Sequence, residues 1–223
     1  MDFGFINVLI SIIIINIVLS GDNAVVIALA TLRLNKNQAK TAIFWGTFGA
    51  VILRIALTIV AAYVLSIPYI QTLGGVALTW IALKLLLDDE NTDVEAPSSM
   101  RQAIKTIIVA DLFMSLDNVL AVAGASGGND VLLVFGLVLS IPLVIWGSTF
   151  IAKLMSRWPW LVYIGAGLIG WVAGEMFVKE PYMEALEGVP FLHYLIPGSI
   201  AFGVIAIGHY IKKSKSQAHA QTM

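Results

Sequence analysis

Apolar residues in this chain do not alternate with polar ones. They run on, in seven stretches of about twenty residues or more: 5–32, 40–66, 69–87, 102–125, 131–153, 159–178 and 192–211. As a helix, about 20 mostly apolar residues cross the hydrocarbon core of a bilayer. Only helices and closed barrels satisfy every backbone N–H and C=O in lipid, and a barrel would show short alternating segments instead. The chain therefore reads as all-α, a polytopic membrane protein with seven transmembrane helices. Composition agrees: 59% of the 223 residues are hydrophobic and 12% are charged, against roughly 25% charged in a globular domain. A net charge of −1 offers nothing to nucleic acid. The absence of cysteine excludes disulfides, Fe–S clusters and thiolate-bound zinc. Met1-Asp2-Phe3 lacks a basic leader, so no cleaved signal peptide is expected.

Basic residues orient the spans. Arg33, Lys36 and Lys40, then Lys84, Arg101 and Lys105, then Lys153 and Arg157, and finally Lys212, Lys213 and Lys215 all fall on one side of the membrane. Lys179 falls on the other, and Arg54 lies inside the second span. The expected arrangement is a multi-pass protein of the bacterial plasma membrane, N-terminus outside and C-terminus cytoplasmic.

Inside these apolar runs a polar cassette occurs twice, as Ser20-Gly21-Asp22-Asn23 and Ser115-Leu116-Asp117-Asn118, at an offset of 95 residues. Asn16 matches Asp111 at the same offset. Further on the offset becomes 91, pairing Pro68 with Pro159, Gly74 with Gly165, Trp80 with Trp171 and Lys84 with Glu175. Residues 5–87 and 101–178 thus read as a duplicated three-helix unit. An acidic cytoplasmic linker, 88–100, joins the copies, and helix seven, 192–211, is extra. All of it is expected to form a single transmembrane domain. An odd number of helices per copy inverts the second relative to the first. Inverted repeats with a site at their interface are the plan of many secondary transporters.

Ionisable side chains within a bilayer are costly and mark ion or substrate paths by default. Asp brings an anionic oxygen, Asn a carbonyl and Ser a hydroxyl, all hard donors suited to Mg²⁺, Ca²⁺ or Mn²⁺. The candidate metal ligands are Asp22, Asn23, Asp117, Asn118, Ser20, Ser115 and Asp111. Asp22 and Asp117 together match the charge of one divalent ion. Asp111, Ser115 and Asn118 share a helical face, whereas Asp117 points about 100° to one side of Asn118 in a regular helix. Gly21 would let the first span unwind; Leu116 takes its place in the second copy. Two close carboxylates in low dielectric should not both stay ionised, so cation binding is expected to release a proton and permit proton coupling.

Arg54 needs a partner within the membrane, and Asp111, Glu175 or backbone carbonyls could supply it, in a structural or a gating role. Gly165, Gly167, Gly170 and Gly174 form a small-residue face suited to close helix packing.

The chain resembles the TerC family of integral membrane proteins, within the lysine-exporter-like superfamily. The likeness rests on Leu19-Ser20-Gly21-Asp22-Asn23-Ala24, on the run from Asp111 through Met114 and Ser115 to Val119, and on the run from Tyr163 through Gly167 to Trp171. It implies a seven-helix transporter-like fold, a role in manganese efflux and metal homeostasis, and a metal site at the two Asp-Asn pairs. The leading expectation is export of manganese by alternating access, with the ion as cargo, no cofactor and no catalysis. The alternatives are export of Ca²⁺, an amino acid or a tellurium species, and, further off, an intramembrane aspartyl protease built on Asp22 and Asp117. Expected partners are the divalent ion and the bilayer, with a second copy or the secretion machinery as accessory ones.

Overall fold

A computed structural model describes residues 20–65, 67–87, 97–125, 130–179 and 191–221. The described residues are helical, with turns between helices. Seven helices are described: α1 (Gly21–Thr31), α2 (Lys36–Leu65), α3 (Ile70–Leu87), α4 (Pro97–Ala125), α5 (Asp130–Arg157), α6 (Trp160–Val178) and α7 (Leu192–Gln221). Five carry a span long and apolar enough to cross a membrane: Lys36–Val60, Ile70–Leu87, Val134–Arg157, Trp160–Val178 and Leu192–Ser214. The protein is a polytopic, all-helical membrane protein. Residues 5–19 of the expected first span, and 88–96 of the expected linker, lie outside the described residues.

Helix boundaries differ from the apolar stretches where polar residues can still be helical. Helix α2 starts at Lys36, ahead of the expected 40, because Asn35 caps it. The Gln38 N–H donates to Asn35 Oδ1 at 2.9 Å, supplying one of the donors a helix start leaves unpaired. Helix α4 starts at Pro97, within the expected linker; proline is tolerated in a first turn, where its missing N–H costs nothing. Helix α7 runs on to Gln221, but its apolar span ends at Ser214. In the duplicated pattern, α3 and α6 correspond closely: 91 added to Ile70 and Leu87 gives 161 and 178, against an observed Trp160–Val178.

The chain divides into two compact units, one holding α1, α2, α4 and α5, the other α3, α6 and α7. Each draws helices from both expected repeats. In the first unit α2 packs extensively on α4, and α1 sits against α4 and α5. The α2–α4 approach is close because α2 presents glycines. A Cβ on Gly46 would lie 2.8 Å from Ile107 Cδ1, and one on Gly49 would lie 2.7 Å from Ile108 Cδ1. The two helices run in the same direction along this seam, since Arg54 lies further on against Asp111 and Ser115. Ile27, Ile43 and Ile107 form a buried cluster, with Ala30, Val144 and Ile145 against it.

In the second unit α6 and α7 are antiparallel. Gly167, Gly170 and Gly174 face Ile205, Ala201 and Pro197 in that order. Small residues let helix backbones approach where lipid supplies no hydrophobic drive between helices. Large apolar side chains, including Phe44, Trp45, Ile59, Leu73, Trp146, Phe150 and Phe202, stand exposed on the outer faces. Such surface suits contact with lipid, not water.

Candidate functional site

The first cassette begins where α1 begins. Ser20 precedes the helix with φ −104° and ψ 4°, and its hydroxyl makes no capping bond. Gly21 opens the helix, and Asp22 falls in the first turn, where the partial positive charge of a helix N-terminus favours a carboxylate. Asp22 Oδ1 accepts the Asn23 N–H at 2.8 Å. The second cassette is different: α4 continues through Ser115, Asp117 and Asn118 to Ala125. The two copies are thus locally unequal. Gly21 is exposed with open space where a Cβ would stand, and Leu116 is buried.

Helix α2 delivers Arg54 between the cassettes. The side chain is 4% exposed. Its Nη2 donates to Asp111 Oδ1 at 2.6 Å, in a buried ion pair. Its Nε donates to Ser115 Oγ at 2.9 Å, and Nη1 donates to Ser20 Oγ at 3.3 Å. Ser115 Oγ in turn donates to Asp111 Oδ2 at 2.9 Å, so both oxygens of that carboxylate are engaged. The hydroxyl that could have capped α1 is directed to the guanidinium instead. A planar fork with five donors suits such a multi-armed contact, where a lysine would supply only a point charge. Asp22 lies within Coulombic range of both Arg54 and Asp111.

Beside this cluster is a cavity of ≈ 20 Å³ whose polar lining is Ser20, Asn23, Thr47, Arg54, Asp111 and Ser140. That is room for about one water-sized sphere. Asn23 is 5% exposed and Thr47 is 2% exposed. Neither atom of the Asn23 amide, nor the Thr47 hydroxyl, has a hydrogen-bond partner among the described residues. Buried polar atoms are nearly always bonded, and each exception asks for an explanation. A small polar ligand between these groups would supply one.

Of the expected site residues, the structure gathers Ser20, Asn23, Asp111 and Ser115 around Arg54 and the cavity. Asn118 is buried on the face of α4 that carries Asp111 and Ser115. The Asp117 side chain lies outside the described residues. Of the partners considered for Arg54, the carboxylate it meets is Asp111; Glu175 on α6 accepts the Trp171 Nε1–H at 3.0 Å within its own helix. The repeat-related pair on α3 sets Lys84 Nζ 5.2 Å from the centre of the Trp80 ring. Sequence reasoning missed Thr47 and Ser140. Thr47 stands seven residues before Arg54, two turns along the same face of α2, and that spacing was the available signal. Ser140 follows Thr47 by 93 residues, between the two repeat offsets. Among the described residues, no three His, Cys, Asp or Glu side chains gather as a metal-holding group. A cation here would rely on amide, hydroxyl and carboxylate oxygens together.

A buried polar cluster thus ties the two repeated cassettes together inside a chain of apolar helices. The family model for the integral membrane protein TerC family matches residues 2–216. The chain belongs to the TerC family. A Bacillus subtilis protein described as uncharacterized membrane protein YjbE is 45% identical over 220 residues, covering 96% of this chain and 100% of its own length. Uncharacterized membrane protein YceF of the same organism is 27% identical over 95% of this chain and 84% of its own. A third, YkoY, is 23% identical over 71% of this chain and 56% of its own. No solved structure matches the chain. This TerC protein is thus an integral membrane protein of a family consistent with a transporter or permease.

Proposed function

We propose that this protein exports divalent manganese from the cytoplasm by alternating access, as a carrier and not an enzyme. The observation that carries the reading is a polar cavity lined by Ser20, Asn23, Thr47, Asp111 and Ser140, with unpartnered Asn23 and Thr47 oxygens, beside an Arg54 that joins Ser20 of the first cassette to Ser115 of the second. Oxygen donors without sulfur or imidazole favour Mg²⁺, Ca²⁺ or Mn²⁺ over copper and zinc. A cavity of ≈ 20 Å³ admits an ion only after most of its waters are shed. Mg²⁺ dehydrates reluctantly and keeps several waters, which disfavours it in so small a space. Arg54 is neutralised by Asp111. Asp22 and Asp117 then remain to balance the two positive charges of the cargo. The same neutralisation argues against a tellurium oxyanion, which would need an unpaired cation to greet it. The distribution of Lys and Arg supports an outward N-terminus and a cytoplasmic C-terminus in the plasma membrane.

Deletion in the native cell should raise cell manganese, measured by elemental analysis, and sharpen sensitivity to added Mn²⁺. Plasmid-borne Asp22→Asn or Asp117→Asn, inserted at normal levels, should fail to restore either. Full restoration by both variants would end this reading. Accumulation of an amino acid in dipeptide-fed deletion cells, with unchanged manganese, would replace it with amino-acid export.

A further inference from the structure

We propose that Arg54 is a tethered competitor for the transported cation. Its guanidinium and the ion claim the same oxygens, so each lowers the hold of the other. The inference rests on the export reading and adds how the ion is let go.

The geometry comes first. Ser20, Asp111 and Ser115 are three of the candidate oxygen donors, and the first two line the cavity. All three are hydrogen-bonded to one guanidinium, at 3.3, 2.6 and 2.9 Å. Arg54 also lines the cavity that Asn23 and Thr47 face. A divalent ion seated there would coordinate at about 2.0–2.6 Å from its oxygens. A guanidinium cannot stay on those oxygens at hydrogen-bond distance while a like charge takes them. Entry of the cation therefore requires Arg54 to yield at least Asp111.

The sequence shows that the arrangement is one-sided. The cassettes are duplicated, but Arg54 is not: the residue 93 positions on, the offset that relates Thr47 to Ser140, is Gly147. A Cβ at Gly147 would meet nothing within 4 Å. One arginine thus serves donors from both halves, reaching Ser20 of the first and Asp111 and Ser115 of the second. That is the placement expected of a group standing in for a central ion, not of a symmetric pair of structural bridges.

The consequence for an exporter is release. A buried site that balances a divalent ion with carboxylates in low dielectric holds it tightly. A built-in cation that regains three hydrogen bonds as the ion leaves weakens the hold without any second solute. By linkage, displacement of Arg54 is the counterpart of binding.

The test uses purified full-length protein in detergent or nanodiscs, with Mn²⁺ alone as the probe. Affinity is read by calorimetry and by metal-dependent thermal stabilisation. Arg54→Gln is expected to bind Mn²⁺ about tenfold more tightly than wild type, within the range of typical site coupling. Arg54→Lys keeps the charge but cannot reach three oxygens at once. It is expected to bind Mn²⁺ more tightly than wild type by a smaller factor. In vesicles both variants should release Mn²⁺ more slowly. Wild-type affinity in Arg54→Lys with a gain in Arg54→Gln would reduce the effect to long-range charge and overturn the competition. Equal or weaker affinity in both would overturn it outright and leave Arg54 a structural ion. If Arg54→Gln fails to fold, Arg54→Lys alone decides, since competition requires its affinity to rise. A wild-type protein that does not respond to Mn²⁺ would instead remove the export reading itself.

Discussion

The packing of α6 on α7 makes a graded prediction. Alanine at Gly174, Gly170, Gly167 and Gly203 adds the same methyl group to four different surroundings. At Gly174 the new Cβ would fall on the Pro197 Cα and lie 2.9 Å from its nitrogen. Both are backbone atoms within a helix and cannot step aside. At Gly170 it would stand 3.0 Å from the Ala201 Cα, a contact a small helix shift relieves. At Gly167 the obstacle is Ile205 Cδ1 at 2.7 Å, the mobile end of a side chain. At Gly203 nothing lies within 4 Å. Overpacking costs about 1–3 kcal/mol, and replacing glycine by alanine in a helix interior returns about 0.5–1 kcal/mol. Gly174→Ala should therefore lose about 2 kcal/mol, Gly170→Ala about 1 kcal/mol and Gly167→Ala close to nothing, while Gly203→Ala gains about 0.5 kcal/mol. For a chain of this size 1 kcal/mol corresponds to about 2–4 °C in melting temperature. Membrane proteins rarely unfold reversibly, so the assay is the midpoint of heat-induced loss from size-exclusion chromatography in one detergent. Gly174→Ala should fall about 4–8 °C below wild type, with Gly203→Ala at or above it. Equal midpoints for Gly174→Ala and Gly203→Ala would refute the close α6–α7 seam.

Asp111→Asn leaves Arg54 buried without its carboxylate and should destabilise by about 3–5 kcal/mol, whereas Arg54→Met with Asp111→Leu should come near wild type; a midpoint for Asp111→Asn within 2 °C of wild type would contradict a buried pair. Thr47→Val removes a hydroxyl that has no partner among the described residues. It should leave the melting temperature level or raised, and weaken the Mn²⁺-induced shift that Thr47→Ser preserves; loss of stability in Thr47→Val alone would show that the hydroxyl is bonded in the resting protein. For topology, alkaline phosphatase fused after Lys213 should be inactive and green fluorescent protein at the same place fluorescent, and the reverse pattern would put the C-terminus outside.

Much of this protein is written along the chain. Seven apolar stretches fixed the class, because lipid offers no hydrogen bonds and forces the backbone into helices. The cassettes at 20–23 and 115–118 singled out, without any fold in view, Ser20, Asn23 and Ser115, which the fold gathers about Arg54 and the candidate cavity. The offset of 91 pairs two helices of similar length, α3 and α6, each closely preceded by a proline, because apolar length and proline placement are local properties. Local properties also account for the misses: polar helix starts such as Lys36 depend on a cap, and hydropathy does not see caps.

The tertiary structure decided who meets whom. Arg54 had Asp111, Glu175 and backbone carbonyls as candidates, and composition gave no means of choosing. The choice follows from how closely α2 approaches α4, which Gly46 and Gly49 permit and Ile107 and Ile108 fill. That seam carries Arg54 to Asp111 and Ser115, and leaves Glu175 to the indole of its own helix. Thr47 joined the candidates only when the rotation of α2 turned it onto the Asn23 cavity. Sequence sets which side chains cannot face lipid; helix rotation and separation, which are global outcomes of packing, set the partners that let them stay inside.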